Sequence, residues 1–277
     1  MLIDGKKIAE QKYADLKKRV SRLSFEPLFC DILVGNNPAS RQYVEMKAKA
    51  AERIGVTFLR AEFPEEIPED VLIAQIQKIN GTPRLAGLIV QLPLPERFNR
   101  VAVLDALDVP LDVDCLTSTN TAAFYSGTLT LTPPTPAAVL EVLDSVLVEK
   151  DLSKKIVVIG KGELVGRPVA HLLRQRGYNV HVIDRSTSEP ETVAREAGIL
   201  IAAAGRPGLV TASWVKPGGI VIDAGSAEQD GSIVGDVDAE SVTPIAAFLS
   251  PTPGGVGPVT VVKLLENVVK VAEAQNF

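Results

Sequence analysis

Apolar residues recur along this chain in two rhythms, short unbroken runs and helical stripes. Between residues 6 and 22, Ile8, Tyr13, Leu16 and Val20 stand among Lys, Arg and Glu at a helical period. Residues 27–34 form a short, mostly apolar run ending at Gly35, the pattern of a buried strand. Ser40 is a candidate helix cap, and Ala48, Ala50, Ala51 and Ile54 continue a helix that Gly55 stops. Residues 56–61 read as the next strand, and 71–79 as a helix closed by Asn80-Gly81. Residues 88–92 read as a third strand, halted by Pro93 and Pro95. A β-α-β-α-β succession predicts a parallel sheet with right-handed crossovers.

One more short helix ends at residues 104–107. From Asp112 the pattern predicts a long irregular stretch reaching Thr132-Pro133-Pro134-Thr135-Pro136, a cluster unsuited to the interior of a regular element. The expected lobe boundary falls there, with residues 1–136 as the first domain and 137–258 as the second. A helix over 137–148 carries the chain across. The second lobe opens with a strand at 156–159, then a glycine turn, a helix over 168–176 and a strand at 180–183. Further strands are expected at 199–203, 220–223 and 246–249. A last helix over 259–274 is expected to pack back on the first lobe, which residues 259–277 complete. The fold class is therefore α/β: two lobes with a cleft between them, the second a Rossmann-type dinucleotide-binding domain.

Composition narrows the function. The 277 residues suffice for two lobes, each with its own core, and 46% hydrophobic with 23% charged residues is a globular balance. A net charge of −5 argues against nucleic acid or an anionic membrane as partner. Cys30 and Cys115 form no metal-ligand spacing and no disulfide framework, which suits a reducing compartment. His171 and His181, the two histidines, leave little for a zinc site or a His-centred triad, so no metal is expected. The N-terminus lacks the apolar core of a signal peptide, and no apolar run reaches the ~20 residues of a membrane span. A cytoplasmic location is the expectation.

Candidate chemistry gathers at strand ends. Tyr43 and Lys47 share one helix face at spacing i, i+4, just beyond a strand's carboxyl end, where open α/β sheets bind ligands. A solvated Lys beside a half-buried Tyr is the bland alternative. Gln91 ends the third strand and points toward the same crevice; tying down a loop would suit it equally. Asp114 sits in a loop, where an Asp also forms turns. Gly160, Gly162 and Gly166 follow a β-branched strand and precede a helix, a frame for pyrophosphate at a helix N-terminus. Asp184, at the end of the next strand, can bind the adenine ribose hydroxyls of NAD, whereas Lys161 and Arg185 can bind the 2′-phosphate of NADP. No role is assigned to His171; Trp214 reads as a core or helix-entry contact; and no base partner makes Cys115 a nucleophile.

Taken together, these segments resemble the bifunctional methylenetetrahydrofolate dehydrogenase/cyclohydrolase family over nearly the full length. The likeness rests on Asn37-Pro38-Ala39-Ser40 with Tyr43-Val44 and Lys47-x-Lys49-Ala50, on residues 90–95 (VQLPLP), and on Asp112-Val113-Asp114. It continues through Thr132-Pro133, Thr135-Pro136, Val165-Gly166-Arg167-Pro168, Gly235-Asp236-Val237 and residues 251–258 (PTPGGVGP). The resemblance implies oxidation of 5,10-methylenetetrahydrofolate to the methenyl form with NAD(P), then hydrolysis to 10-formyltetrahydrofolate. It implies Lys47 as the catalytic lysine, Tyr43 as the ring stacking on the folate, Gln91 as the amide modulating the lysine and Asp114 as the carboxylate gripping the pterin. Pro253, Gly254 and Gly255 would border the substrate. Gly160, Lys161 and Gly162 would hold cofactor phosphates, and Ser226 would lie near the nicotinamide. NADP is favoured, with NAD left open by Asp184, and a homodimer is implied.

Some positions depart from the family pattern. Leu111-Asp112-Val113-Asp114-Cys115 stands where the family usually has Lys-Asp-Val-Asp-Gly, and Cys115-Leu116-Thr117-Ser118 replaces a Gly-Phe/Leu-His-Pro run. Gly162 stands for a usual Ser, Asp184 for a usual His, and Asp223-Ala224-Gly225-Ser226-Ala227 for Asp-Val-Gly-Ile-Asn. These departures keep two alternatives open, a dehydrogenase without cyclohydrolase activity and a silent folate- or nucleotide-binding paralogue.

Overall fold

The computed structural model describes residues 1–147, 152–229 and 232–275. The chain divides into two compact units, one of Gln11–Pro134 with Val261–Phe277, the other of Met1–Glu10 with Thr135–Thr260.

In chain order the first elements are α1 (Gly5–Val20), β1 (Leu28–Val34), α2 (Pro38–Ile54), β2 (Thr57–Phe63), α3 (Glu69–Asn80), β3 (Leu85–Val90), α4 (Arg100–Leu104) and α5 (Ser118–Ser126). Strands β2, β1 and β3 pair in that order, all parallel, so β1 lies in the middle. Phe29, Ile32, Leu33, Leu88 and Ile89 are fully buried in this sheet, and Leu72 and Ile76 of α3 are equally buried. Along the same β1 sits one charged residue, Asp31, also fully buried.

Several local details differ from the sequence expectations. The side chain of Asn37, not Ser40, caps α2, accepting from the Ser40 N–H at 2.9 Å. Pro38 can then occupy the first helical position, where its missing N–H has no intrahelical partner. Gly55 closes α2 in the left-handed region, as its position predicts. The stretch expected to be irregular contains α5, capped by the Thr117 side chain and ended by Gly127 at φ 76°. Its apolar residues, 122–125, form one run rather than a stripe, so periodicity does not reveal it.

The later elements are α6 (Pro134–Asp144), β4 (Ile156–Ile159), α7 (Gly166–Gln175), β5 (Val180–Ile183), α8 (Pro190–Arg195), β6 (Ile199–Ala202), β7 (Ile220–Asp223), β8 (Ala227–Gln229), β9 (Ser232–Val234), α9 (Ala239–Val242), β10 (Phe248–Ser250) and α10 (Val256–Gln275). Helix α6 starts inside the Pro/Thr cluster, correcting the reading of that cluster as irregular. Pro134 and Pro136 lie in its first turn, where no N–H is required. Val148, where that helix was expected to end, lies outside the described residues, as do the last two residues of the expected C-terminal segment.

The five-stranded sheet is all parallel, in the order β10-β7-β6-β4-β5. Counted from β4 the order is that of a doubly wound sheet, with the reversal between β4 and β6. The first residues of the chain join this unit: Leu2 bridges Leu249, and the Gly5 N–H donates to the Gly254 carbonyl at 3.0 Å. The latter part of α10 belongs to the other unit. There Asn267 donates to the carbonyls of Val113 (2.9 Å) and Thr132 (2.8 Å), and Gly87 leaves room for Val268, which a Cβ would meet at 2.8 Å.

Candidate active site

In the unit built on β1, α2 directs Lys47 inward. Its side chain is 9% exposed, and its Nζ lies 2.6 Å from Asp31 Oδ2 and donates to Gln91 Oε1 at 2.7 Å. Gln91 follows β3 and is fixed at both ends. Its backbone N–H donates to the Ile32 carbonyl at 2.8 Å, and its Nε2 donates to the Leu92 carbonyl at 2.5 Å. The ammonium is therefore held between a carboxylate from the central strand and an amide from the end of the neighbouring one. Tyr43, four residues earlier on α2, is half-buried.

The two acids of Asp112-Val113-Asp114 have different work. Asp112 is buried and accepts from the Leu116 N–H (3.2 Å), the Thr117 N–H (2.8 Å) and Asn120 Nδ2 (2.9 Å), so it ties the loop together. Val113 is core. Asp114 is half-buried, and burial pushes its carboxyl up to about 6; Lys47 opposes this, while Asp112 and Asp31 add to it. Cys115 adopts φ 62°, the left-handed region that favours glycine, which gives a physical reason for a glycine at this place in the family pattern. Burial raises the Cys115 thiol well above its ordinary range and pushes Cys30 up to about 12, so neither is a thiolate nucleophile.

In the other unit, a cavity of about 740 Å³ opens at the carboxyl ends of β4, β5 and β6. Gly160, Lys161, Gly162, Asp184, Arg185 and Arg206 line it. The glycines of the turn are not equivalent. A Cβ on Gly160 (φ 99°) would lie 2.3 Å from the Ala203 carbonyl oxygen, and one on Gly166 would lie 2.1 Å from that of Gly160. At Gly162 a Cβ would meet nothing within 4 Å, so there the backbone faces open space. Helix α7 begins without a side-chain cap hydrogen bond; in its first turn the Arg167 N–H donates to the Gly162 carbonyl at 3.1 Å and Pro168 has no N–H. Lys161 pairs with Asp184, whose other oxygen accepts from the Ser186 N–H (2.8 Å) and Oγ (2.6 Å); together they hold this carboxyl well below the usual range.

The structure thus brings Lys47, Gln91 and Asp114 into one charged neighbourhood, and Gly160, Lys161, Gly162, Asp184 and Arg185 around one cavity. Ser226 is an exposed residue of the β7–β8 loop, outside the cavity's described lining. Pro253, Gly254 and Gly255 belong to the unit that carries the cavity, not to that of Lys47. Trp214 packs against the core and also lines the cavity. Sequence reasoning missed Arg206 and Asp31. For Asp31 a signal was available, a lone acid within Leu-Phe-Cys-Asp-Ile-Leu-Val, where both faces of the strand are apolar. Among the described residues no group of three or more His, Cys, Asp or Glu could hold a metal ion, and no helix is long and apolar enough to cross a membrane.

A doubly wound parallel sheet with a glycine turn and a cavity at its switch point defines a two-domain α/β enzyme with an NAD(P)-binding domain. The tetrahydrofolate dehydrogenase/cyclohydrolase catalytic-domain model matches residues 3–114, and the NAD(P)-binding-domain model of the same family matches residues 133–276. The chain belongs to the tetrahydrofolate dehydrogenase/cyclohydrolase family. It is 40% identical to the bifunctional protein FolD of Halothermothrix orenii, with 97% of this chain and 96% of that one covered. The crystal structure of the bifunctional FolD enzyme of Campylobacter jejuni matches with a TM-score of 0.93 at 37% identity, covering 99% of each chain. That of the Trypanosoma brucei enzyme complexed with NADP cofactor and inhibitor matches with a TM-score of 0.93 at 31% identity, covering 99% of this chain and 98% of that one.

Proposed function

We propose that this enzyme oxidises 5,10-methylenetetrahydrofolate with NADP and hydrolyses the methenyl product to 10-formyltetrahydrofolate, with Lys47 as the acid–base group of the second step. The observation that carries this is the buried ammonium clamped between Asp31 and Gln91. Hydrolysis adds water across the methenyl carbon–nitrogen bond. The attacking water must lose a proton, and the departing ring nitrogen must gain one. One amine in a fixed place can accept the first and supply the second. Gln91 keeps Nζ in place, Tyr43 on the same helix face offers a ring for stacking, and Asp114 can accept hydrogen bonds from the pterin's amino and ring N–H groups.

NADP bound at the glycine turn supplies the hydride acceptor of the first step. The residues present fit a phosphate-bearing dinucleotide: Gly162 leaves the backbone open, no side chain caps the start of α7, and Lys161, Arg185 and Arg206 line the cavity. Two features favour NADP over NAD. Asp184 is committed to Lys161 and Ser186, so its oxygens are already engaged, while Arg185 and Arg206 bring positive charge to the cavity. Arg185→Ala should raise the KM for NADP about ten-fold or more, and that for NAD far less. Equal effects on both would point to Asp184 and NAD. A cytoplasmic homodimer belongs to the same reading; family resemblance supports it, and two free, buried cysteines suit a reducing compartment.

The test of the main reading is Lys47→Met, assayed by absorbance on the methenyl substrate. Cyclohydrolase activity should be abolished while folate and dinucleotide still bind. Turnover at the parent rate would remove Lys47 from the mechanism.

A further inference from the structure

Among the described residues, buried carboxylates are of two kinds. Asp112, Asp223 and Asp236 each accept three N–H donors, backbone amides for the most part. For Asp223 these are Gly225, Asp236 and Val237, and for Asp236 they are Ala204, Gly205 and Arg206. Such acids hold loops together. Asp31 differs. It is fully buried in the central strand β1, and among the described residues its carboxylate receives no backbone amide; the ion pair with Lys47 Nζ at 2.6 Å is its compensation. An ion pair placed in an apolar strand adds little net stability, because desolvating both charges offsets their attraction. Its presence needs another reason.

We propose that Asp31 is the positioning residue for Lys47, fixing the place of Nζ and exchanging a proton with it. The inference rests on Lys47 acting in the cyclohydrolase step. In the resting pair the proton is on nitrogen. When the amine is needed, an N–H bond breaks and an O–H bond forms across the contact, leaving neutral Lys47 and neutral Asp31. The amine takes the proton of the attacking water, returns it to the departing ring nitrogen, and recovers its own from Asp31. The pair carries a net positive charge only while the amine holds the proton from water, when addition of hydroxide has just neutralised the methenyl cation, so the total charge is unchanged. Burial raises the affinity of the Asp31 carboxyl for a proton, which brings it toward the range such an exchange needs. The groups facing the pair are Arg60 of β2, held by Glu45; Gln91 after β3; and Asp114 in the loop after α4.

Two replacements separate place from proton. Asp31→Asn keeps an acceptor oxygen but cannot take the proton. Asp31→Val removes both and matches the apolar neighbours of β1. Removing the carboxylate disfavours the ammonium, so the limb of the cyclohydrolase pH profile governed by Lys47 should move to lower pH by about one unit or more in both. At pH 7, kcat should fall about ten-fold or more in each, with the KM for the methenyl substrate changed far more in Val than in Asn. Dinucleotide affinity should stay at the parent value. A purely structural pair predicts otherwise, and parent pH profiles in the folded variants would overturn the proposal. If neither variant folds, lysine-labelled ¹⁵N spectra of the parent decide, with the Lys47 signal identified by its loss in Lys47→Met. An ammonium signal protected from exchange supports the pair, and exchange as fast as that of exposed lysines overturns it. An active Lys47→Met enzyme would instead fail the reading on which this one rests.

Discussion

At Asp114, burial and two acidic neighbours act against a single cation, Lys47, and the outcome is a carboxyl at about 6. The sign is direct. A raised value means that the carboxylate predominates above pH 6 and is protonated below it. A pterin edge of N–H donors needs the carboxylate, so folate affinity should weaken as pH falls from 8 through 6. Asp114→Asn replaces one acceptor oxygen by a donor. It should cost about 2–4 kcal/mol of folate binding at pH 8 and remove the bend near pH 6. Dinucleotide affinity should be unaffected, because that cavity belongs to the other unit. Calorimetry across pH 5 to 8 checks both, and a flat affinity in the parent would place the pterin away from Asp114.

At the scale of elements, the strand–turn–helix of β4 and α7 is limited by backbone approach. Gly160 and Gly166 face one another so closely that a Cβ on Gly166 would fall 2.1 Å from the Gly160 carbonyl oxygen. A backbone atom cannot swing aside as a flexible side chain can, so Gly166→Ala must open the turn. The expected cost is about 1–3 kcal/mol of stability, as for other overpacked sites. The larger effect should be on dinucleotide binding, whose apparent constant should rise at least about ten-fold, because the open backbone at Gly162 and the start of α7 move with the turn. Folate binding measured on the same variant should remain at the parent value. Fluorescence titration with NADPH and calorimetry with folate separate the two results. Gly162→Ala is the companion variant. Its Cβ meets nothing in the free protein, so thermal stability should hold while dinucleotide affinity falls.

Across the whole molecule, the chain returns at its end to complete the unit it began. Asn267 is 2% exposed and donates to the carbonyls of Val113 and Thr132, residues more than 130 positions earlier. Asn267→Leu keeps the volume but strands the buried Val113 carbonyl and the part-buried Thr132 carbonyl. The expected loss is about 2–4 kcal/mol in urea unfolding. Because Val113 adjoins Asp114, folate affinity should fall with it, while dinucleotide affinity holds. Unchanged unfolding would mean that water satisfies both carbonyls.

Much of this architecture follows from local pattern. Short β-branched runs, glycine stops and helical stripes mark the parallel strands and their crossovers, because each element's buried face is written in its own few residues. The Tyr43–Lys47 face and the glycine turn are local too, a matter of spacing within one helix or one loop. Helix α5 escaped because its apolar residues do not repeat, and the start of α6 because two prolines mark a first turn as readily as a break. What needed the fold was every relation across strands. That Lys47 is clamped by Asp31 and Gln91 depends on α2, β1 and β3 converging, and 44 positions separate Lys47 from Gln91. That Asp112 ties a loop while Asp114, two residues on, stays in the field of Lys47 depends on which of them finds backbone amides. That Asp184 is already engaged depends on Lys161 reaching it from the neighbouring strand's turn. Charge and hydrogen-bond partners are set by distance in space, and a chain's local pattern carries no record of that distance until long-range packing has closed it.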